Sequence, residues 1–215
     1  MSYKLIIFDM DGTILNTLED LTDSVNACLT AFSYPTRTID EVRSFVGNGI
    51  RLLIARAVPE GTCEEDIETL YSYFMPYYQE HCAMKTKPYD GILDTLKKLR
   101  VQGYKTAVVS NKADTAVQEL CQVYFPGLFD FAIGEKPGNR KKPAPDAVNE
   151  TLNALNIKTE DAIYIGDSDV DLETAANAKM DCIAVEWGFR DAAFLKQHGA
   201  TRLAQTPEDI FTFLS

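Results

Sequence analysis

Two carboxylates stand one residue apart near the start of the chain, Asp9 and Asp11 in LIIFDMDGTILNT, residues 5–17. Along an extended backbone, residues i and i+2 point the same way, about 6 to 7 Å apart. The two acids can therefore face one point and leave room between them for a tetrahedral group. Gly12 permits the tight turn that follows. Asp and Gly are also common turn residues, so this stretch alone reads equally well as a turn. Other polar residues shift the balance. Ser110-Asn111 closes a second apolar run, and Gly166-Asp167-Ser168-Asp169 closes a third, with Asp171 just after. RKKPAPD, with Lys141 and Lys142 immediately before Pro143, lies between the second and third. Carboxylates gathered in one place repel unless something compensates them. A hard divalent cation does so, and magnesium takes oxygen ligands from a few carboxylates and often from a substrate phosphate. Asp9, Asp11 and Asp167 offer that set, whereas His81 and His198 have no neighbours suited to a softer metal.

The elements that must position these residues follow from hydrophobic pattern. Leu5–Phe8 is an apolar run without alternation, the mark of a strand buried on both faces. The mark recurs at Tyr104–Ser110, Ala162–Asp167 and Cys182–Trp187, and more weakly at Phe129–Gly134. GILDTLKKLRVQG reads as a helix with Ile92, Leu93, Leu96 and Leu99 on one face and Gly103 as a stop. PDAVNETLNALN reads as a helix opened by Pro145. Strands alternating with helices predict right-handed βαβ units, a parallel sheet, and ligand binding beyond the carboxyl ends of its strands. From Asn16 to about Met84 the strand mark is missing. NTLEDLTDSVNACLTAF, TIDEVRSFV, GIRLLIARAV and CEEDIETLYSYFMPYYQEHC all read as helices, the last kinked or broken by Pro76. Tyr71, Phe74, Tyr77 and Tyr78 read as packing within that helical insert, and KTKPYDG as the return linker. The expected division is a core domain of residues 1–14 and 88–215 and a helical cap of residues 15–87.

Bulk properties narrow the partners. The 215 residues suit one domain with an insert, and 46% hydrophobic with 25% charged residues is ordinary globular composition. Thirty-two acidic against 21 basic residues leave a net charge of −11, which argues against nucleic acid or an anionic membrane as partner. An anionic substrate then needs a local cluster of positive charge, and Lys142 is the candidate. No window approaches the ~20 apolar residues of a membrane helix. The first apolar run is too short for a signal peptide and ends in acid. Five scattered cysteines without a CxxC pair read as free thiols of a cytoplasmic protein.

DMDGT, SN, KKP and GDSDVD, in this order and at these strand ends, resemble the four motifs of the haloacid dehalogenase superfamily of phosphotransferases. The resemblance spans nearly the whole chain. The helical insert resembles the four-helix cap of its phosphoglycolate phosphatase and β-phosphoglucomutase branch. VGNGIRLLIARAV (Val46–Val58) and the late Trp187–Arg190 are similar to segments of the phosphoglycolate phosphatases. The implied fold is α/β, a Rossmann-like parallel sheet with an inserted four-helix cap. The resemblance implies Asp9 as the nucleophile that becomes an aspartyl-phosphate, and Asp11 as general acid and then base. It implies Ser110, Asn111, Lys142 and Thr13 as phosphate-binding, and Mg²⁺ held by Asp9, the backbone carbonyl of Asp11, and Asp167. Asp171 would orient Lys142 or a metal-bound water. Family members often have GKP where this chain has Lys141-Lys142-Pro143, so Lys141 could share the role. Gly47-Asn48-Gly49 would form a cap loop over the substrate. Arg51 reads either as a partner for a substrate carboxylate or as an exposed helical arginine.

The implied activity is Mg²⁺-dependent hydrolysis of a small phosphomonoester, with phosphoglycolate the best single guess and a monomer or weak homodimer as the working form. A pyrophosphatase or nucleotidase of the same family is the nearest alternative. A sugar-phosphate mutase is further off, because VGNG does not resemble the mutase cap loop. A non-catalytic regulator would be expected to carry a degenerate site, and here every motif position is filled.

Overall fold

The computed structural model describes residues 3–47 and 49–214. In chain order its strands are β1 (Leu5–Phe8), β2 (Leu15–Asn16), β3 (Lys87–Pro88), β4 (Lys105–Ala113), β5 (Phe131–Glu135), β6 (Ala162–Gly166), β7 (Asp181–Val185) and β8 (Leu203–Ala204). Its helices are α1 (Leu18–Ala31), α2 (Ile39–Phe45), α3 (Ile50–Ala57), α4 (Glu64–His81), α5 (Ile92–Val101), α6 (Asp114–Tyr124), α7 (Asp146–Leu155), α8 (Asp169–Asn177) and α9 (Ala192–Gln197). Two compact units result, Met1–Leu15 with Pro88–Ser215, and Asn16–Lys87.

The first unit is built on a six-stranded sheet in the order β5-β4-β1-β6-β7-β8, every neighbouring pair parallel. All four residues of the central strand β1 are fully buried, as a strand covered on both faces requires. Its side chains alternate. Ile6 and Phe8 pack with Val108, Ile165 and Val185 against Leu96, Leu99, Val117 and Ile210. Leu5 and Ile7 pack with Ala107, Val109 and Tyr164 against Val148, Leu152 and Met180. Register aligns the strand ends: Phe8 pairs with Val108 on one side and Ile165 on the other. Asp9 N–H extends this ladder to the Ile165 carbonyl at 2.9 Å. Asp9, Val109-Ser110 and Gly166-Asp167 therefore lie at one level across the sheet.

The second unit holds α1 to α4. Asp20 of α1, 3% exposed, accepts the backbone N–H groups of Lys85 and Thr86 at 2.8–2.9 Å and ties the end of this unit to its beginning. Phe74 and Tyr78 are buried here, while Tyr71 and Tyr77 are only half-buried. Of the expected kink or break at Pro76, the break is absent, since α4 runs through it. Proline removes the N–H that would serve the carbonyl four residues back. Ser72 and Pro76 are both exposed, so water can take that carbonyl. β4 also runs past its expected end at Ser110-Asn111, reaching Ala113 with a register shift after Val109.

Candidate active site

The strand ends deliver Asp9, Asp167 and Asp171 to one place. A carboxylate oxygen from each lies within 4.8 Å of the others, and all three are buried. Lys142, its side chain 5% exposed, places Nζ 2.7 Å from Asp9 Oδ1 and 2.8 Å from Asp171 Oδ1. The Tyr164 hydroxyl accepts from Lys142 at 3.2 Å, within reach also of the Val109 carbonyl and Asp171. Tyr164 is thus a strand residue whose ring fills the core and whose hydroxyl serves the ammonium. Lys141 instead pairs with Glu135 at 2.9 Å, half exposed, and Arg140 pairs with Asp146. Of the three basic residues before Pro143, Lys142 is the one that joins the acidic cluster.

Each acid is fixed by local structure. Asp171 is the third residue of α8, and its Oδ2 accepts from the backbone N–H and hydroxyl of Ser168 at 3.1 and 2.6 Å, capping the helix. Its other oxygen faces Lys142, so one carboxylate joins a helix start to the ammonium. Asp167 Oδ2 accepts the Phe189 N–H at 2.7 Å, and its Oδ1 accepts the Thr13 hydroxyl at 3.3 Å. Trp187 Nε1 donates to the Thr13 carbonyl at 2.9 Å. A Cβ on Gly188 would sit 2.3 Å from Asp167 Cβ, and one on Gly12, where φ is +88°, would sit 2.3 Å from Asp167 Oδ2. Only glycine lets the Gly12 and Gly188 turns close on Asp167.

Two residues expected to bind phosphate carry other contacts. Thr13 turns its hydroxyl to Asp167. The Asn111 side chain accepts from Lys142 N–H at 2.8 Å and donates to the Lys142 carbonyl at 3.1 Å, clipping the lysine segment to β4. The Asn111 amide serves backbone groups that need partners, and the Thr13 hydroxyl serves a buried carboxylate. Ser110, buried, accepts the Lys112 N–H at 3.2 Å through its hydroxyl oxygen. Asp11 stands apart from the cluster. Its carboxylate, 27% exposed, meets Lys112 Nζ at 3.2 and 3.3 Å. Lys112 escaped the sequence reading although it directly follows Ser110-Asn111, because a lysine at a strand end usually serves as solvated surface. Tyr164 escaped it because its polar tip lies within an apolar run.

Electrostatics favour a cation. Burial pushes the Asp9 carboxyl up to about 7, with Lys142 pulling it down and Asp171 pushing it up. Burial likewise drives Asp167 well above the carboxylate range, aided by Asp171 and Asp9. Burial opposes the Lys142 ammonium, but Asp171 and Asp9 outweigh it and raise its pKa well above that of a free lysine. Four carboxylates, of Asp9, Asp11, Asp167 and Asp171, face two ammonium groups, of Lys112 and Lys142. The deficit of positive charge and the all-oxygen donor set fit a divalent hard cation.

The expected cap residues lie in the helical unit. Gly47 and Gly49 have φ of +117° and +95°, and Asn48 lies outside the described residues. Arg56 donates to the carbonyls of Phe45 and Gly47 at 2.7 and 3.3 Å. Arg51 is paired with Glu64 and Glu68 on the exposed face between α3 and α4, which is the exposed-arginine alternative. All five cysteines are free thiols, and burial pushes Cys28 up to about 11. Among the described residues, no helix is long and apolar enough to cross a membrane.

The family model for haloacid dehalogenase-like hydrolases matches residues 6–185. A phosphoglycolate phosphatase of Psychrobacter arcticus is 34% identical over 209 residues, covering 94% of this chain and 91% of that one. Phosphoglycolate phosphatase 1 of Pseudomonas aeruginosa is 32% identical over 213 residues, covering 96% and 78%. A crystal structure from Lactobacillus delbrueckii subsp. bulgaricus, provisionally assigned as a phosphoglycolate phosphatase, superposes with a TM-score of 0.95 at 41% identity, covering 100% of this chain and 99% of that one.

Proposed function

We infer the reaction from one premise: the chain belongs to the haloacid dehalogenase-like hydrolases, in their phosphoglycolate phosphatase-like group with a helical cap. It is a phosphatase of small phosphomonoesters that works through an aspartyl-phosphate on Asp9. The observation that carries this reading is Lys142, which lies 2.7 Å from Asp9 and is anchored 2.8 Å from Asp171 at the carboxyl ends of the strands.

In the first step an Asp9 oxygen attacks phosphorus, a new P–O bond forms to Asp9, and the bond to the ester oxygen breaks. Asp11 gives its proton to the departing oxygen and becomes a carboxylate. In the second step Asp11 takes a proton from water, whose oxygen bonds to phosphorus as the Asp9–phosphorus bond breaks. Covalent catalysis of this kind divides one difficult displacement into two easier ones. Charge on the equatorial phosphoryl oxygens is met by the Lys142 ammonium and the Ser110 hydroxyl. Mg²⁺, held by Asp9, Asp167 and the Asp11 carbonyl, would supply further neutralisation of the phosphoryl charge. Asn111, Thr13 and Asp171 act by holding Lys142 and Asp167 in place. Phosphoglycolate is the best single substrate, supported by the names of relatives that align along most of this chain.

The test is phosphate release from a panel of phosphorylated metabolites, with and without Mg²⁺. Release from phosphoglycolate that requires Mg²⁺ is the expected result. No release from any phosphomonoester would overturn the reading.

A further inference from the structure

We propose that Lys112 is a positioning residue for Asp11: its ammonium fixes the Asp11 carboxyl for proton exchange with the leaving alcohol. This rests on the phosphatase reading above. Four observations carry it. Lys112 Nζ reaches both Asp11 oxygens, at 3.2 and 3.3 Å, so one ammonium engages the carboxyl through both of its oxygens. The Lys112 side chain is only 7% exposed, so it has given up hydration that a surface lysine keeps. Its backbone lies where β4 loses register with β5, between Val109 and Ala113, and its N–H donates to the Ser110 hydroxyl oxygen at 3.2 Å. The strand beside it admits no side chain, because a Cβ on Gly134 would lie 2.4 Å from the Lys112 carbonyl oxygen.

The division of labour between the two lysines follows. Lys142 lies against Asp9 and Asp171, where phosphorus is transferred. Lys112 lies against the acid that handles protons, on the same sheet edge. When Asp11 gives its proton to the departing oxygen, the new negative charge develops beside an ammonium already in place. Without Lys112 the Asp11 carboxyl, 27% exposed, can turn toward water.

Leaving-group dependence separates this role from a general effect on phosphate binding. An alkyl ester must be protonated as it leaves, whereas p-nitrophenolate departs without a proton. Lys112→Met should lower kcat/KM by about 10- to 100-fold on the best alkyl phosphomonoester of the panel. On p-nitrophenyl phosphate the loss should stay below about 5-fold. Lys112→Arg, which keeps the charge, should restore most of the alkyl activity. Adding Lys112→Met to Asp11→Asn should leave the alkyl-to-aryl ratio of the single Asp11 variant unchanged. The substitutions keep the backbone N–H that bonds Ser110, and melting curves verify the fold. An equal loss on both esters, or none on either, overturns the proposal while leaving the phosphatase reading intact. A wild-type enzyme inert toward both esters overturns the two together.

Discussion

Two helices of this molecule start in the same way and do different work. In α2, Thr38 donates its N–H and hydroxyl to Glu41 Oε2 at 2.7 and 2.9 Å, and Glu41 Oε1 lies 3.5 Å from Arg37. In α8, Ser168 donates its N–H and hydroxyl to Asp171 Oδ2, and Asp171 Oδ1 lies 2.8 Å from Lys142. Cap residue, third-position acid and nearby cation recur in each. The Glu41 side chain is 44% exposed, and that of Asp171 is 1% exposed. Water screens the first ion pair to near irrelevance, so it only fastens a helix end. Around the second, charge is neither screened nor easily released, and the spare oxygen becomes the anchor of a lysine in the candidate active site. A local motif thus acquires chemistry from the dielectric in which the fold places it.

The sharpest way to probe the buried side of that contrast is Asp9→Asn. Turnover should fall below detection while the fold persists. Burial holds Asp9 at about 7, above an unfolded carboxylate, so the native state binds a proton that the unfolded chain has lost between about pH 4 and 7. Asp9 therefore makes the metal-free wild type less stable as pH rises through that window. The variant escapes this decline, and its stability relative to wild type should grow by a few kcal/mol, in order of magnitude, from pH 4 to 7 and then level off. Chemical denaturation across pH without Mg²⁺ measures it, and a flat difference would contradict the assignment.

Asp171→Asn keeps an oxygen for the cap but removes the charge that offsets Lys142. It should lower kcat/KM by about 100-fold or more and cost about 3 kcal/mol of stability, as expected for breaking a buried pair. Urea unfolding and steady-state kinetics test this. Gly188→Ala should push a methyl group into Asp167 and weaken Mn²⁺ or Mg²⁺ binding about 10- to 100-fold by titration calorimetry. Glu41→Gln, the exposed counterpart, should move the melting temperature by no more than about 2 °C and leave kcat unchanged. If Glu41→Gln and Asp171→Asn had equal effects, burial would not be what distinguishes the two helix starts.

Much of this arrangement was legible because it is local. Continuous apolar runs marked β1, β4, β6 and β7, since strands covered on both faces carry them. Helical spacing marked α1 and α5, and small polar residues after the apolar runs marked the ends of β1 and β6, whereas β4 runs on through Ser110-Asn111 to Ala113. Lys112 and Tyr164 were not legible, because neither a strand-end lysine nor a tyrosine in an apolar run advertises its partner. Pro76 leaves α4 unbroken because solvent exposure, which spares the orphaned carbonyl, is set by packing. Thr13 and Asn111 read as phosphate-binding, whereas their side-chain bonds go to Asp167 and to the Lys142 backbone.

The sequence by itself determined which side chains reach the carboxyl edge of the sheet, because strand period and turn chemistry depend on near neighbours. Only the tertiary structure decided which lysine meets which aspartate, because Asp9, Lys142 and Asp171, like Asp11 and Lys112, lie far apart along the chain. Their pairing depends on strand order, register and the exclusion of water, and none of these is written in a short stretch of residues.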